Sequence, residues 1–184
     1  LYSGKMSLSD AAAVTSQETR KGALDLVPDC GGVSAGVEGL AFVNRGWRGP
    51  VGIVGASGTG LQEVICLLER MGVGISQAYG TGGRDLKDDV GGLTAIAALH
   101  RLEKDEETKI IVLLGKPPGD KTRAKLAEIL PKLGKPVFVH YLGAPDHAIE
   151  DAAGLTSADD LTKLAVVVAQ KANLKANVAA VVQE

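Results

Sequence analysis

Val51-Gly-Ile-Val-Gly-Ala-Ser-Gly-Thr-Gly-Leu-Gln-Glu63 reads as a buried strand, a glycine turn and the first turn of a helix. Val51, Ile53 and Val54 form an apolar run without alternation, the pattern of a parallel strand covered on both faces, and Gly55, Gly58 and Gly60 interrupt it at once. Beyond the turn, Leu61, Val64, Ile65 and Leu68 recur at i, i+3, i+4 and i+7, one apolar stripe for a helix lying on a sheet; Gly72 after Met71 is its expected stop. A strand that enters a helix through glycines aims several backbone N–H groups, and the positive end of the helix dipole, at one spot beyond the strand. An anion suits that spot. The spacing, Gly-x-x-Gly-x-Gly, is neither the dinucleotide Gly-x-Gly-x-x-Gly nor a Walker A loop, which carries Lys and Ser/Thr after its last glycine. Two readings of these glycines stand: an anion cradle, or a tight turn that lets the helix pack closely on the sheet.

The 184 residues suffice for one ordinary domain, or one domain plus a remnant, with a true core. Apolar residues make up 45% of the chain and charged residues 23%, as in globular chains. Glycine, at 24 residues, is about twice as frequent as usual, which in a chain of alternating strand and helix patterns implies many tight turns rather than a fibre. A formal charge of −2, with one Trp, three Tyr and two Phe, argues against a nucleic-acid partner, which needs a basic stripe and stacking rings. Cys30 and Cys66 show no Cys-x-x-Cys spacing and no neighbouring histidine, so neither a metal site nor a disulfide framework is indicated. Cys66, in mid-helix among apolar residues, is expected in the core. No apolar run approaches the roughly 18 residues of a membrane span and no signal-peptide pattern opens the chain; no membrane partner is expected, and the cytoplasm is the expected compartment. The chain opens on Leu1 rather than Met, so a continuation upstream is expected.

Leu1 to Ser3 read as the tail of a strand, Ser7 or Ser9 as the cap of an alanine-rich helix to about Lys21, and Ala23 to Val27 as a short strand. From Pro28-Asp-Cys-Gly-Gly32 to Gly49 the chain is glycine-rich, with one candidate strand at Leu40 to Asn44, and reads as a linker. After the central helix come a strand at Val73 to Tyr79, a second glycine turn at Gly80-Thr-Gly-Gly-Arg-Asp85, and a helix from Leu93 to about Lys104. Thr108 to Leu114 is the clearest buried strand and ends in Gly115-Lys-Pro-Pro-Gly-Asp120. A helix from Lys121 toward Leu133 is cut early by Pro131. Val137 to Leu142 is a fourth strand, followed by Gly143-Ala-Pro-Asp-His147, a short helix at Ala148 to Ala153 and a strand stub at Gly154 to Thr156. Ser157 with Asp160 forms an imperfect capping box for a helix bearing Leu161, Leu164, Ala165 and Val168 on one face; 173–184 reads as helix or helix extension.

This alternation over 51–172 implies an α/β fold, a doubly wound parallel sheet with helices on both faces. Right-handed crossovers place every strand-to-helix loop on one edge. Ser57 to Gly60, Gly80 to Asp85, Gly115 to Asp120 and Gly143 to His147 are therefore expected on a single rim, where such folds bind ligands.

At this point the residues carry a family. Gly49-Pro-Val-Gly-Ile-Val-Gly-Ala-Ser-Gly-Thr-Gly-Leu-Gln-Glu-Val64, followed by Gly74-Ile-Ser-Gln-Ala-Tyr-Gly-Thr-Gly-Gly-Arg-Asp-Leu86, resembles the FdrA group of acyl-CoA synthetase-like proteins, relatives of the succinyl-CoA synthetase alpha subunit. Pro28-Asp-Cys-Gly31 resembles the loop that closes that family's CoA-binding domain, and Tyr2-Ser3 onward resembles the same domain's last strand and helix. The resemblance runs to about residue 170. It implies a flavodoxin-like CoA-ligase domain at 49–172, preceded at 1–48 by a remnant of a Rossmann-like CoA-binding domain and a linker, with a helical tail at 173–184. It also implies that Ser57, Gly58 and Thr59 hold a phosphoryl group, and that Glu63, one turn later, is a catalytic carboxylate orienting a phosphorylated histidine. Gly60, Gly82, Gly83 and Arg84 complete the expected phosphate site, and Asp29, Cys30 and Gly31 the expected CoA-side loop. Arg84 and Lys116 would supply positive charge, and a guanidinium suits phosphate because its planar fork donates two bonds. Read without the family, Glu63 is a solvated helix carboxylate, and Arg84 serves equally as the partner of Asp85 or Asp88.

The chain departs from the synthetases in one respect. They present the histidine in a Gly-His-Ala-Gly loop, and Leu142-Gly-Ala-Pro-Asp-His-Ala-Ile-Glu-Asp-Ala-Ala-Gly154 contains none. His147 falls near the rim outside that motif, His140 within a strand reads as a hydrogen-bonded core residue, and His100 as a helix-surface residue. Three functions follow. The first is an acyl-CoA synthetase or succinyl-CoA ligase-like domain binding phosphate or an acyl or carbamoyl phosphate. Its activity would be acid–thiol ligation or carbamoyl transfer of the oxamate or oxalurate type, with CoA and phosphate as ligands and ATP or ADP left open. The second is a noncatalytic assembly module that kept the cradle. The third, a flavin-binding flavodoxin-like protein, is disfavoured because only Tyr79 and Tyr141 offer the rim a ring. Relatives pair this domain with a second subunit or a second half of a longer chain, so an oligomer with a partner surface near 57–72 is expected.

Overall fold

The computed structural model describes residues 33–35, 38–41, 47–144, 150, 155–173 and 175–182. The expected strand at Leu1 to Ser3, the helix ending near Lys21, the strand at Ala23 to Val27, the loop Asp29-Cys30-Gly31, His147 and, Glu150 apart, the helix at Ala148 to Ala153 lie outside the described residues. In chain order the elements are β1 (Val33–Ala35), β2 (Glu38–Ala41), β3 (Arg48–Gly55), α1 (Gly58–Arg70), β4 (Ile75–Gly80), α2 (Leu93–Lys104), β5 (Ile110–Gly115), α3 (Asp120–Ile129), β6 (Val137–Tyr141), β7 (Thr156–Ser157), α4 (Leu161–Ala172) and α5 (Ala179–Val182).

The strands form one sheet in the order β2-β1-β4-β3-β5-β6-β7. From β4 to β7 every pairing is parallel. Taken alone, the parallel strands run second, first, third, fourth, fifth, which is the flavodoxin-like doubly wound order, with its switch point between β3 and β5. β1 and β2 continue the sheet antiparallel beyond β4. The stretch expected as a linker with one strand at Leu40 to Asn44 holds, among its described residues, β1 and β2, and β2 overlaps the expected strand at Leu40 and Ala41. Strands of three and four residues lack the length over which hydrophobic periodicity becomes legible.

Burial explains why the central strands carry no alternation. Val51, Ile53 and Val54 are fully buried, as are Ile111 to Leu114, because helices cover both faces. On one face lie Leu61, Val64, Ile65 and Leu68 of α1 with Leu164, Ala165 and Val168 of α4. On the other lie Ala95, Ala98, Leu99 and Leu102 of α2 with Leu126 of α3. Each large side chain so buried contributes about 1.5–3 kcal/mol, which sets the sheet and its helices as one unit. Gly52 lets α2 approach: a Cβ there would stand 2.7 Å from Leu102 Cδ2 and 2.8 Å from Thr108 Cγ2.

Pro131 ends α3 as expected, at Ile129, by opening a 3₁₀ turn at Leu130–Lys132. The start of α4 corrects the expected capping box. Asp160 is the cap, its carboxylate accepting from Lys163 N at 2.7 Å, whereas Ser157 is drawn into β7 opposite Val139. α4 stops at Ala172 before extended Asn173, and within 173–184 the described helix is confined to α5. Cys66 is half-buried rather than in the core. Among the described residues no helix is long and apolar enough to cross a membrane.

Candidate functional site

Parallel pairing brings the carboxyl ends of β3, β4, β5 and β6 to one edge of the sheet, and backbone bonds stitch their loops together there. Thr81 N donates to Gly55 O at 2.9 Å, Ala56 N to Leu114 O at 2.8 Å and Leu142 N to Gly115 O at 2.7 Å. The expected rim is thus formed by 56–60, 80–92, 115–120 and 142–144. At the switch point β3 stays paired to its last residue, Gly55, opposite Leu114 of β5. A Cβ at Gly115 would lie 2.8 Å from Ala56 Cβ and 3.2 Å from Leu86 Cδ1, so glycine is required by close approach.

The second glycine loop, 81–92, crosses this rim. It leaves β4, bonds to the end of β3 through Thr81, proceeds by consecutive turns (Lys87 N to Arg84 O and Val90 N to Lys87 O, both 3.0 Å) and reaches the end of β5, where Gly119 N donates to Leu86 O at 2.9 Å. Two carboxylates hold it. Asp85, buried to 1% exposure, accepts from Thr94 N at 3.0 Å and Ala95 N at 2.8 Å. It thereby caps α2, whose own N-cap, Gly92 at φ 70°, has no side chain to do so. Burial pushes the Asp85 carboxyl up to about 6, against the pull of those amides and of the neighbouring Thr94 and Thr81 hydroxyls. Asp88 does the same for α3, accepting from Thr122 N at 2.9 Å and Thr122 Oγ1 at 3.0 Å; the Thr122 amide leads the bonds that hold its carboxyl below the usual range. A Cβ at Gly119 would collide with the Asp88 carboxylate.

α1 differs from its neighbours. Ser57 is its N-cap in extended conformation (φ −141°, ψ 113°), the hydroxyl accepting from Gly60 N at 3.3 Å, and the first turn contains no acidic residue. Asp85, Asp88 and Asp160 occupy the amino ends of α2, α3 and α4, whereas among the described residues α1 receives only the neutral Ser57 side chain. Its two glycines have separate reasons. A Cβ at Gly60 would be 3.3 Å from Leu114 Cδ1, Leu142 Cδ1 and Ser57 Oγ, which makes Gly60 a packing residue. A Cβ at Gly58 would meet nothing within 4 Å, so packing does not require glycine there. Gly58 and Thr59 are exposed, and Ser57 half-buried.

Of the other residues singled out, Gly82 stands at φ 80°, a left-handed position that favours glycine, while Gly83 and Arg84 are half-buried on the crossing loop and Lys116 is exposed beyond β5. Glu63 is exposed on α1 and lines a groove of about 610 Å³ between α1, α4 and α5, with Leu67, Arg70, Lys163, Val166 and Val181. His140 is a buried, hydrogen-bonded residue as expected, its Nδ1 2.7 Å from Ala158 O, and His100 is exposed beside Glu103. Tyr79 and Tyr141 are 8% and 1% exposed, so neither presents a ring face to a flavin. Among the described residues no cluster of three His, Cys, Asp or Glu could hold a metal ion.

Sequence reasoning missed the two capping carboxylates and a buried ion pair. Arg123 of α3 grips Glu150 in bidentate fashion, Nε to Oε1 at 2.9 Å and Nη2 to Oε2 at 2.6 Å, with Glu150 1% exposed. The same guanidinium lies 5.8 Å from the centre of the Tyr141 ring. Burial, with the Glu150 charge, pushes the Tyr141 phenol well above its ordinary range, against the pull of Arg123. No local pattern signals a pair 27 residues apart; an unexplained Arg in the first turn of α3, where carboxylates are preferred, was the one available hint.

Comparison with known proteins places this geometry. YahF of Escherichia coli is 40% identical over 151 residues, covering 82% of this chain and 29% of that protein. The alpha subunits of the ADP-forming succinate–CoA ligases of Aquifex aeolicus and Archaeoglobus fulgidus are 34% and 35% identical, covering 63% and 64% of this chain and 38% and 40% of their own lengths. The chain therefore spans about a third of these relatives. Among solved structures, ATP citrate lyase from Methanothrix soehngenii in complex with citrate and coenzyme A superposes with a TM-score of 0.74 at 16% identity, covering 92% of this chain and 33% of that one. The dinucleotide-forming acetyl-coenzyme A synthetase 1 of Ca. Korarchaeum cryptofilum, in complex with phosphate and ADP, gives 0.65 at 18% identity, covering 88% and 39%. These structures share the fold. The family described as the CoA binding domain matches residues 48–141, half of the chain and all of the sheet from β3 to β6 with both glycine loops, and this chain belongs to that family.

Proposed function

We propose that this chain is the CoA-ligase-type module of an FdrA-type protein and that the amino end of α1 holds a phosphoryl group, as inorganic phosphate or as an acyl or carbamoyl phosphate. One observation carries the reading. Among the described residues, α1 is the rim helix without a carboxylate at its amino end, and it begins at a glycine beside which a Cβ would meet nothing within 4 Å. The amides of Gly58 and Thr59 and the dipole of α1 favour the anion, the Ser57 and Thr59 hydroxyls donate to its oxygens, and Arg84 brings compensating charge from the crossing loop. The same groups would stabilise charge that collects on phosphate as it leaves an acyl or carbamoyl carbon.

CoA, when bound, would supply the thiol that accepts the acyl group, and the resemblance assigns it to Asp29, Cys30 and Gly31. The groove bordered by Glu63 is the surface we assign to a second subunit or second half of a longer chain, with Glu63 acting beside it. Acid–thiol ligation and carbamoyl transfer of the oxamate or oxalurate type remain the two reactions this arrangement serves, each in a larger assembly.

Calorimetric titration with inorganic phosphate tests the cradle, comparing the unaltered protein with Gly58→Ala, Ser57→Ala and Arg84→Gln. Gly58→Ala is the decisive change, because it is expected to keep or raise stability by up to about 1 kcal/mol while excluding the anion. Unchanged phosphate affinity in Gly58→Ala would sink the proposal. A second reading, a noncatalytic assembly module, is favoured by the missing Gly-His-Ala-Gly loop and by the place of Glu63 in the groove. Unaltered turnover of the complete enzyme carrying Glu63→Gln and Ser57→Ala would support it instead.

A further inference from the structure

We infer that the groove between α1, α4 and α5 takes a second copy of this chain, packed about a two-fold axis that lays α1 antiparallel on its counterpart and sets Glu63 of each copy against Arg70 of the other; this rests on the reading of the groove as a partner surface and names the partner. A helix that covers one face of a sheet needs a single apolar stripe. α4 has that stripe in Leu164, Ala165 and Val168, all fully buried. Val166 and Val167 fall beside it and are only half-buried, and Val182 of α5 is 62% exposed. These three valines open, with Leu67 of α1, onto the one groove of about 610 Å³. Apolar side chains gathered in a trough with charges along its border are the mark of a contact surface.

The border charges select the occupant. α1 follows β3 and α4 follows β7, strands that run the same way in the sheet, so both helices start at the rim and lie side by side in one direction. At the rim end the groove is bordered by the carboxylates of Glu63, Asp159 and Asp160 against the one ammonium of Lys163, which stands 2.9 Å from Asp159 Oδ2 and 3.8 Å from Asp160 Oδ2. At the far end stands Arg70, in the last turn of α1, beside Val181 and Val182 of α5, which Asn177 N on Met71 O at 3.1 Å ties to that end. A partner of uniform charge meets repulsion at one end or the other. An antiparallel helix with its basic residue in the last turn meets attraction at both, and its dipole opposes those of α1 and α4.

α1 is itself such a helix. Glu63 and Arg70, about two turns apart on one face, lie equally far on either side of the peptide that joins Cys66 to Leu67. A two-fold axis there reverses α1 onto its counterpart with both charged pairs in register, each contact made twice, as a self-complementary surface requires.

Sedimentation equilibrium of the full chain over a range of concentrations is expected to show a reversible monomer–dimer equilibrium. By symmetry, one substitution changes two contacts. Glu63→Arg meets Arg70 of the other copy and Arg70→Glu meets Glu63, so each weakens the dimer by roughly tenfold or more, whereas the two together exchange the partners and restore most of the affinity. Val182→Asp sets an acid over the other copy's acidic rim end and weakens the dimer; Val182→Lys removes the same apolar surface and weakens it less. All three positions are exposed, and circular dichroism melting shows that each variant is folded.

A dimer in which the double variant is as weak as the single ones, or in which none of these changes acts, overturns the inference. A chain that stays monomeric at every concentration overturns the second copy alone. The reading of the groove as a partner surface falls separately, if Val182→Asp leaves assembly of the complete enzyme unchanged.

Discussion

Asp85 makes the stability of this protein depend on pH in a direction opposite to that of most carboxylates. Its carboxyl is pushed from 3.8 to about 6 because burial outweighs the two amides it accepts from. Between those values the folded chain holds a proton that the unfolded chain has released, so this contribution is complete below 3.8 and is lost as pH rises through 6. A shift of about two units at roughly 1.4 kcal/mol each corresponds to about 3 kcal/mol. Asp85→Asn abolishes the titration. It retains one acceptor oxygen and forfeits one of the two amide bonds, a loss of about 1 kcal/mol that is constant with pH. Urea unfolding followed by far-ultraviolet circular dichroism at half-unit steps from pH 4 to 8 gives the comparison. The stability of the variant relative to the unaltered protein is expected to climb by about 3 kcal/mol from pH 4 to 7. Asp88, Glu103 and Asp105, whose carboxyls are held low, tilt both curves the other way and cancel in the difference. Two parallel curves would refute the reasoning, and a relative stability of the variant that falls as pH rises would place Asp85 among ordinary, charge-stabilised caps.

Three further sets of changes test the packing of the fold. Arg123→Ala leaves Glu150 buried without its partner and should cost about 3–5 kcal/mol in chemical denaturation, whereas replacing both residues by apolar ones of similar volume should cost much less. Asp160→Ala should lower stability by about 1 kcal/mol through the lost cap on α4, while Ser157→Ala should change it by less than half of that, the reverse of a capping box led by Ser157. Gly52→Ala drives a methyl into Leu102 and Thr108 and should cost about 1–3 kcal/mol, read as a lowered melting temperature.

The residues that made the fold legible act over short distances. The unbroken apolar runs at Val51 to Val54 and Ile110 to Leu114, the stripe from Leu61 to Leu68, and Pro131 each impose a conformation through neighbours within a turn or two, so the alternation of strand and helix and the rim of glycine loops could be read directly. The same locality limited the reading. β1 and β2 are too short to show a period, and Ser157 carried a capping signature that pairing with β6 overrode.

Ser57, Gly58, Thr59 and Gly60 stood out in the chain because strand, turn and helix are contiguous there. Which of those glycines serves packing and which leaves space was a different question, since Gly60 faces Leu114 and Leu142 only after β5 and β6 have taken their places. Asp85 over α2, Asp88 over α3 and Arg123 on Glu150 join residues 9 to 34 apart. Such pairs depend on crossover, register and helix placement, which no local propensity encodes. By itself, then, the sequence determined a doubly wound α/β sheet with its glycine loops gathered on one rim. Only the tertiary structure decided that protein carboxylates fill the amino ends of α2, α3 and α4 while, among the described residues, α1 receives only the Ser57 hydroxyl, because the contacts of Asp85 and Asp88 exist only after the sheet has brought distant loops within hydrogen-bond reach.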